Sequence, residues 1–230
     1  MIRVETLKIY EGERPLVDLN FELKDSLALV GQSGSGKSLT LKALLGMLPS
    51  NLRSELKISA PFGLVRGWTL SFVPQNPFTA LSPLTKIRKQ WFASEEKARE
   101  LFALLGLEWS LFDRYPPQLS GGQLQRIIFA VALSSDPKLI LLDEPTTALD
   151  PHLREEVARI LVELQKRFAF SMLFVTHDIN LAAKICRETL VIREGRKVEA
   201  GPSEVILAHP RSDYTRRLLE ASFARREFRR

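Results

Sequence analysis

The sequence predicts an α/β fold with a mostly parallel sheet. Three observations carry that expectation: short β-branched or aliphatic runs alternate with longer helix-period stretches, several runs are apolar without alternation, and a glycine-rich turn separates one strand from the next helix. Non-alternating apolar strands suit a sheet covered on both faces.

Arg3 to Tyr10 and Leu16 to Leu23 alternate like strands and predict a small antiparallel sheet. Ser26 to Val30 reads as a buried strand, and Ser38 to Met47 as the helix after it. Thr69 to Val73 is the next strand. Residues 76 to 134 read as a helical insertion, in which Ser94-Glu-Glu starts a helix with carboxylates at its positive end and Gly106 stops it. Leu139 to Leu142, after Asp136-Pro137, is a strand, and Asp150-Pro151 opens a further helix with a capping Asp and a Pro in its first turn. Its apolar stripe is Leu153, Val157, Ile160, Leu161, Leu164 and Phe168. Ser171 to Thr176 is the last strand read from pattern, and residues 201 to 230 form a helical, basic tail.

Composition narrows the class. The chain has 230 residues, 45% of them hydrophobic and 26% charged, which describes a globular protein and not a disordered one. A net charge of +6 raises nucleic acid, an anionic membrane surface or a phosphate-rich ligand as partners. Of that excess, +4 lies in residues 211 to 230, where seven Arg face Asp213, Glu220 and Glu227, so no basic footprint runs along the whole chain. The single cysteine, Cys186, excludes an internal disulfide and a cysteine-cluster metal site within one chain, and predicts a reducing compartment. The opening residues carry no signal-peptide pattern and no window approaches about 18 consecutive apolar residues, so neither export nor membrane spanning is expected.

Three motifs carry chemistry. Gly31-Gln32-Ser33-Gly34-Ser35-Gly36-Lys37-Ser38 fits G-x-x-x-x-G-K-[ST] between a strand and a helix. Glycines let backbone N–H groups turn toward phosphate oxygens, the helix start adds positive charge, Lys37 reaches the β and γ phosphates and Ser38 ligates Mg²⁺. Leu139-Ile-Leu-Leu-Asp143-Glu144 ends an apolar strand in two carboxylates, at the sheet edge where α/β ligands sit. Asp143 is placed to hold Mg²⁺, and Glu144 to polarise an attacking water as general base. Leu119-Ser120-Gly121-Gly122-Gln123 opens an amphipathic helix and is either a second anion cradle or an ordinary helix cap.

In combination these residues resemble an ATP-binding-cassette (ABC) ATPase, whose P-loop NTPase core carries an N-terminal antiparallel β-subdomain and an inserted helical subdomain. The LSGGQ signature falls at 119 to 123, Ala148-Leu149-Asp150 matches the D-loop, His177 the switch histidine, Gln75 the Q-loop, and Tyr10 the aromatic that stacks on adenine. The resemblance spans nearly the whole chain as one nucleotide-binding domain, 1 to 230. It implies two cassettes paired head to tail, each ATP lying between one subunit's 31–38 loop and the other's Ser120 to Gln123. Gln75 would sense Mg²⁺ and the attacking water, His177 would contact the γ-phosphate, and Asp150 would link the two sites.

Gln75-Asn-Pro-Phe-Thr-Ala-Leu-Ser-Pro-Leu-Thr and His209-Pro-Arg-Ser-Asp-Tyr214-Thr215-Arg-Arg-Leu-Leu are similar to segments of the oligopeptide, dipeptide and nickel importer ATPases. That likeness implies an ATPase subunit peripheral to the cytoplasmic face of the inner membrane, working with transmembrane permease subunits, a second ATPase subunit and, indirectly, a solute-binding protein. Residues 76 to 85 are expected to dock the permease. The other class considered is a soluble ABC ATPase acting on nucleic acid or ribosomes. Such relatives carry two cassettes or a coiled-coil insertion, which this chain lacks, so no nucleic-acid partner is expected. The segments 38–74 and 76–119 are short for the importer group, Asp25-Ser26 replaces its Gly-Glu pair, and Leu39 stands where Thr is common.

Overall fold

A computed structural model describes residues 1–146 and 151–227, with the side chains of 151–152 and 223–227 left aside. Among these residues the strands are β1 (Ile2–Glu11), β2 (Arg14–Leu23), β3 (Ser26–Val30), β4 (Leu52–Ser59), β5 (Leu70–Val73), β6 (Leu139–Asp143), β7 (Ser171–Thr176), β8 (Glu188–Arg193) and β9 (Arg196–Pro202). The α-helices are α1 (Lys37–Leu44), α2 (Glu95–Leu104), α3 (Gly121–Leu133), α4 (Pro151–Phe168), α5 (Ile179–Ile185), α6 (Ser203–Ala208) and α7 (Asp213–Glu227). The chain divides into two compact units, residues 1–63 with 171–230, and residues 64–170.

In the first unit the strand order is β4-β1-β2-β9-β8-β3-β7. Strands β1 and β2 pair antiparallel, as their alternation predicts, but the pattern slips: Ile2 and Val4 are buried on one parity, Leu7 and Ile9 on the other. A bulge between Val4 and Leu7 supplies the extra residue that swaps the faces. Strand β3 pairs in parallel with β7 and with β8. All five of its residues are buried, the signature of a strand covered on both sides. Strands β2 and β9 meet only at Asp18 opposite Arg196, so the antiparallel sheet joins the parallel one through a single register point.

In the second unit β5 and β6 pair in parallel, Leu70 opposite Leu139 and Val73 opposite Leu142. Val73, Phe129, Leu142, Leu161, Leu164 and Phe170 converge beside this pair, which places α3 and α4 on it. Of the expected α4 stripe, Val157, Leu161 and Leu164 are buried, while Leu153, Ile160 and Phe168 remain half-exposed. The start of α2 is as its sequence predicts: the Ser94 hydroxyl accepts from the Lys97 N–H, and Gly106 follows the helix with a φ of 61°. A satellite core of Trp91, Phe102, Trp109 and Phe112 packs beside it, Phe102 edge-on to the other three rings and Trp109 tilted by 30° to Phe112. The remainder of 76–134 is short 3₁₀ turns and α3.

Strands β4, β8 and β9 have no counterpart in the sequence reading. Most of β4 is exposed and it is a sheet edge held by β1, so burial leaves little pattern to read. No helix of the described residues is long and apolar enough to cross a membrane.

Candidate active site

The loop 31–36 runs from the end of β3 to the start of α1 and is fixed at both ends by sterics. A Cβ on Gly31 would fall 2.4 Å from the Ile192 carbonyl oxygen and 2.6 Å from Ser35 Oγ. Gly36, the residue before α1, has a φ of 102°, and a Cβ there would meet Val17 Cγ2 at 2.9 Å. Only glycine satisfies both demands. Lys37 is buried, and its Nζ donates to the carbonyls of Gly31 at 2.8 Å and Gln32 at 2.9 Å. Its ammonium thus lies against the inside of the glycine loop. Ser35 Oγ is buried and has no hydrogen-bond partner, so the loop offers a hydroxyl as well as backbone donors to an anion.

Neighbouring segments of the same unit hold the loop. The Gly195 N–H donates to the Ser35 carbonyl at 2.9 Å, while the Gly195 carbonyl accepts from the Asp18 N–H at 2.8 Å. The Gln32 N–H donates to the Tyr214 hydroxyl at 3.1 Å. Gly195 lies outside the sequence reading, although Glu194-Gly195 between two strand-like runs is a readable turn signal. Tyr214 was legible only as part of a tail pattern, not as a partner of the loop.

His177 belongs with this loop. Val30 sits opposite Thr176 in parallel strands, so Gly31 and His177 leave the sheet at the same carboxyl edge. The turn after it is set by Asp178, whose Oδ1 accepts from the N–H groups of Asn180 and Leu181 at 3.1 Å each, and whose N–H donates to Thr176 Oγ1. Tyr10, in the same unit, is half-exposed on β1 with the Arg53 guanidinium 4.4 Å from its ring centroid. One face of that ring is therefore covered by a cation.

The remaining candidates lie in the second unit. Val73 and Leu142 are register partners, so Gln75 and the pair Asp143 and Glu144 leave their two strands at the same edge. Gln75 is exposed, and the turn after it is tightened by Asn76, whose Oδ1 accepts from the Phe78 N–H at 3.0 Å. Asp143 and Glu144 are half-buried, and Glu144 has a φ of 43°, a left-handed conformation that costs a non-glycine residue about 1–3 kcal/mol. Such strain persists where the surroundings fix the side chain's direction. Ser120 caps α3 reciprocally with Gln123: its hydroxyl accepts from the Gln123 N–H at 3.2 Å, and Gln123 Oε1 accepts from the Ser120 N–H at 3.0 Å. Asp150, with Ala148 and Leu149, lies outside the described residues.

A strand, a glycine loop ending in a buried lysine over its carbonyls and a helix, together with a parallel strand ending in two carboxylates, define a P-loop nucleotide-binding protein. Residues 16–147 match the ABC transporter family model, and the chain belongs to that family. It is 33% identical to the oligopeptide transport ATP-binding protein OppD of Bacillus subtilis, over 93% of this chain and 68% of that one. It is 35% identical to the metal-staphylopine import system ATP-binding protein CntD of Staphylococcus aureus, over 90% of this chain and 87% of its relative. Among solved structures, a dimeric post-hydrolysis ATP-binding cassette bound to ADP and Pi superposes with a TM-score of 0.72 at 27% identity, covering 88% of this chain and 99% of that one.

Proposed function

We propose that this chain is the ATP-binding and ATP-hydrolysing subunit of an importer for small solutes of the peptide or metal-chelate class. The observation that carries the reading is Lys37, buried with its ammonium 2.8 and 2.9 Å from two carbonyls of the glycine loop, where phosphate oxygens are the natural replacement. Relatives such as OppD and CntD serve oligopeptide transport and metal-staphylopine import, which supports an importer over an ATPase acting on nucleic acid.

The residues divide the chemistry as follows. Backbone N–H groups of Gly34 to Ser38 cradle the phosphates and Lys37 pairs with the β and γ oxygens. Ser38, Asp143 and Gln75 each carry a hard oxygen donor of the kind Mg²⁺ takes, and are the residues that would hold it. Held by them, Mg²⁺ would supply charge neutralisation on the phosphates. Glu144 accepts the proton of the attacking water, Gln75 orients that water, and His177 contacts the γ-phosphate as the leaving bond lengthens. Tyr10 offers adenine its remaining ring face, the other being held by Arg53.

Ser120 to Gln123 and Asp150 are assigned to a second ATPase subunit's nucleotide, of the same or a homologous chain. What supports this is that, beyond the chain neighbours and the helix's own backbone, no described atom of this chain lies within 4 Å of where a Gly121 Cβ would stand, and only the Leu153 side chain, at 3.7 Å, approaches that of Gly122. Neither has a left-handed φ. Glycine lowers helix stability by up to about 1 kcal/mol relative to alanine, and here nothing in the chain's own packing requires it. Close approach of an external anion does.

Residues 76 to 85 are assigned to permease docking, supported by the exposed Phe78 and Leu84. The helical part, 76 to 134, would then carry motion between nucleotide and membrane subunit on the cytoplasmic face. Glu144→Gln tests the reading: ATP binding is retained, hydrolysis falls by about 10²–10⁴-fold, and an ATP-bound dimer accumulates. Normal turnover in that variant refutes the base assignment, and failure to co-purify with permease subunits refutes the importer.

A further inference from the structure

The C-terminal helix α7 touches the phosphate loop, and nothing in the chemistry above uses that contact. Tyr214, in the first turn of α7, accepts a hydrogen bond from the Gln32 N–H at 3.1 Å. Gln32 N–H and Gly31 C=O are the two ends of one peptide unit. Lys37 Nζ donates to the Gly31 end at 2.8 Å, so Lys37 and Tyr214 grip opposite edges of the same peptide plane. Once a phosphate draws Lys37 away from those carbonyls, the Tyr214 hydroxyl is the anchor from the tail that stays.

The tail is built to hold that hydroxyl in place. Glu199 on β9 is buried, and its two carboxylate oxygens accept from the backbone N–H groups of Arg211 at 2.9 Å and Ser212 at 3.2 Å, immediately before α7. Ser212 Oγ accepts from the Thr215 N–H at 3.0 Å, which fixes the first turn of the helix. The Arg193 guanidinium lies 5.4 Å from the Tyr214 ring centroid and restrains the ring itself. Two turns further on, Ser222 Oγ donates to Asp178 Oδ1 at 3.2 Å, so the same helix also reaches the turn that follows His177.

From this geometry we infer that Tyr214 is a positioning residue for the phosphate-binding loop, and that the C-terminal segment Glu199–Tyr214 sets the chain's affinity for ATP. The inference rests on the ATP-site reading given above. It assigns to the tail a task distinct from contact with a permease or with the other ATPase subunit.

Tyr214→Phe keeps the ring and removes the acceptor. Binding of ATP by the full chain is measured calorimetrically, alongside steady-state hydrolysis and thermal unfolding. We expect Kd and KM for ATP to rise about 3–10-fold, the loss of one neutral hydrogen bond, with turnover at saturating ATP within about twofold and the unfolding midpoint unchanged. A merely structural role would move the midpoint and leave affinity alone. Glu199→Gln, which loosens the tail before α7, is expected to weaken ATP binding in the same direction, and the double variant to be no worse than the weaker single, because both act through one contact. Tyr214→Phe binding ATP as tightly as the unmodified chain, while Lys37→Ala loses binding, overturns the inference and leaves the ATP site standing. ATP binding unaffected by Lys37→Ala overturns the site reading, and the inference falls with it.

Discussion

Gly195→Ala tests how the phosphate loop is held. Gly195 has a φ of 74°, and a Cβ there would lie 1.9 Å from the Leu16 carbonyl oxygen, 2.7 Å from the Leu16 carbonyl carbon and 2.8 Å from Val17 Cα. These are backbone atoms of β2 and cannot rotate away. The turn must shift, and with it go the N–H that donates to the Ser35 carbonyl and the carbonyl that accepts from Asp18. The left-handed backbone costs alanine about 1–2 kcal/mol, and the two hydrogen bonds are worth about 1 kcal/mol each. A total loss of about 3–4 kcal/mol follows from summing these, before any strain left in β2. Gly12→Ala is the matched control: its φ is 59°, but beyond its chain neighbours no described atom lies within 4 Å of the new Cβ, so only the backbone cost of about 1–2 kcal/mol applies. Denaturant unfolding of both variants gives the difference directly, and nucleotide calorimetry reads the loop. Gly195→Ala should bind ATP about 3–10-fold more weakly, as one displaced loop anchor implies, and Gly12→Ala should bind normally. Equal stability losses in the two variants would refute the steric account.

Other predictions follow from the same contacts. Burial alone would raise the Glu199 carboxyl, but donors from Arg211, Thr215 and Ser212 outweigh it and hold the group below its ordinary value of 4.5. Its contribution to stability is therefore complete above that value and lost as pH falls through the lower folded value, so the gap in unfolding midpoint between the unmodified chain and Glu199→Gln should shrink below pH 4.5. A gap that widens on acidification contradicts it. Burial pushes the Cys186 thiol far above the usual range, so iodoacetamide should leave the folded chain unmodified and label one site after denaturation. Rapid labelling under native conditions would show that the site opens. Ser120→Ala removes the hydroxyl that caps α3 and should lower stability by about 1 kcal/mol, measured by denaturant unfolding; no loss would mean that water replaces the cap.

What could be read from the sequence was local. The cap at Ser94, the stop at Gly106 and the strand–loop–helix of residues 26 to 47 are each specified by residues within a few positions of one another, and their physics needs no distant partner. Edges and turns were harder. Strand β4 reads as polar because most of it faces solvent, and it exists because β1 offers it hydrogen bonds. The bulge in β1 reverses the burial parity at mid-strand, which a strict alternation count cannot follow. Tyr214 and Gln32 are separated by 182 residues, and the tail sequence contains no sign of where its hydroxyl arrives.

The glycines divide in a way that separates fold from function. Gly31, Gly36 and Gly195 are demanded by the chain itself: a side chain at any of them collides with Ile192, Val17 or Leu16. Gly121 and Gly122 are not so demanded, since a Cβ on either meets open space or ordinary contact with Leu153. The first three build a loop that is complete within one chain. The other two leave the start of α3 bare beside a cap that already satisfies Ser120 and Gln123. A helix start kept bare at a cost in helix stability, with no described side chain filling it, is what the proposed role of Ser120 to Gln123 at a second subunit's nucleotide requires. Gly121→Ala is the variant that isolates this difference, because it should leave folding intact or slightly improved while reducing cooperative ATP hydrolysis.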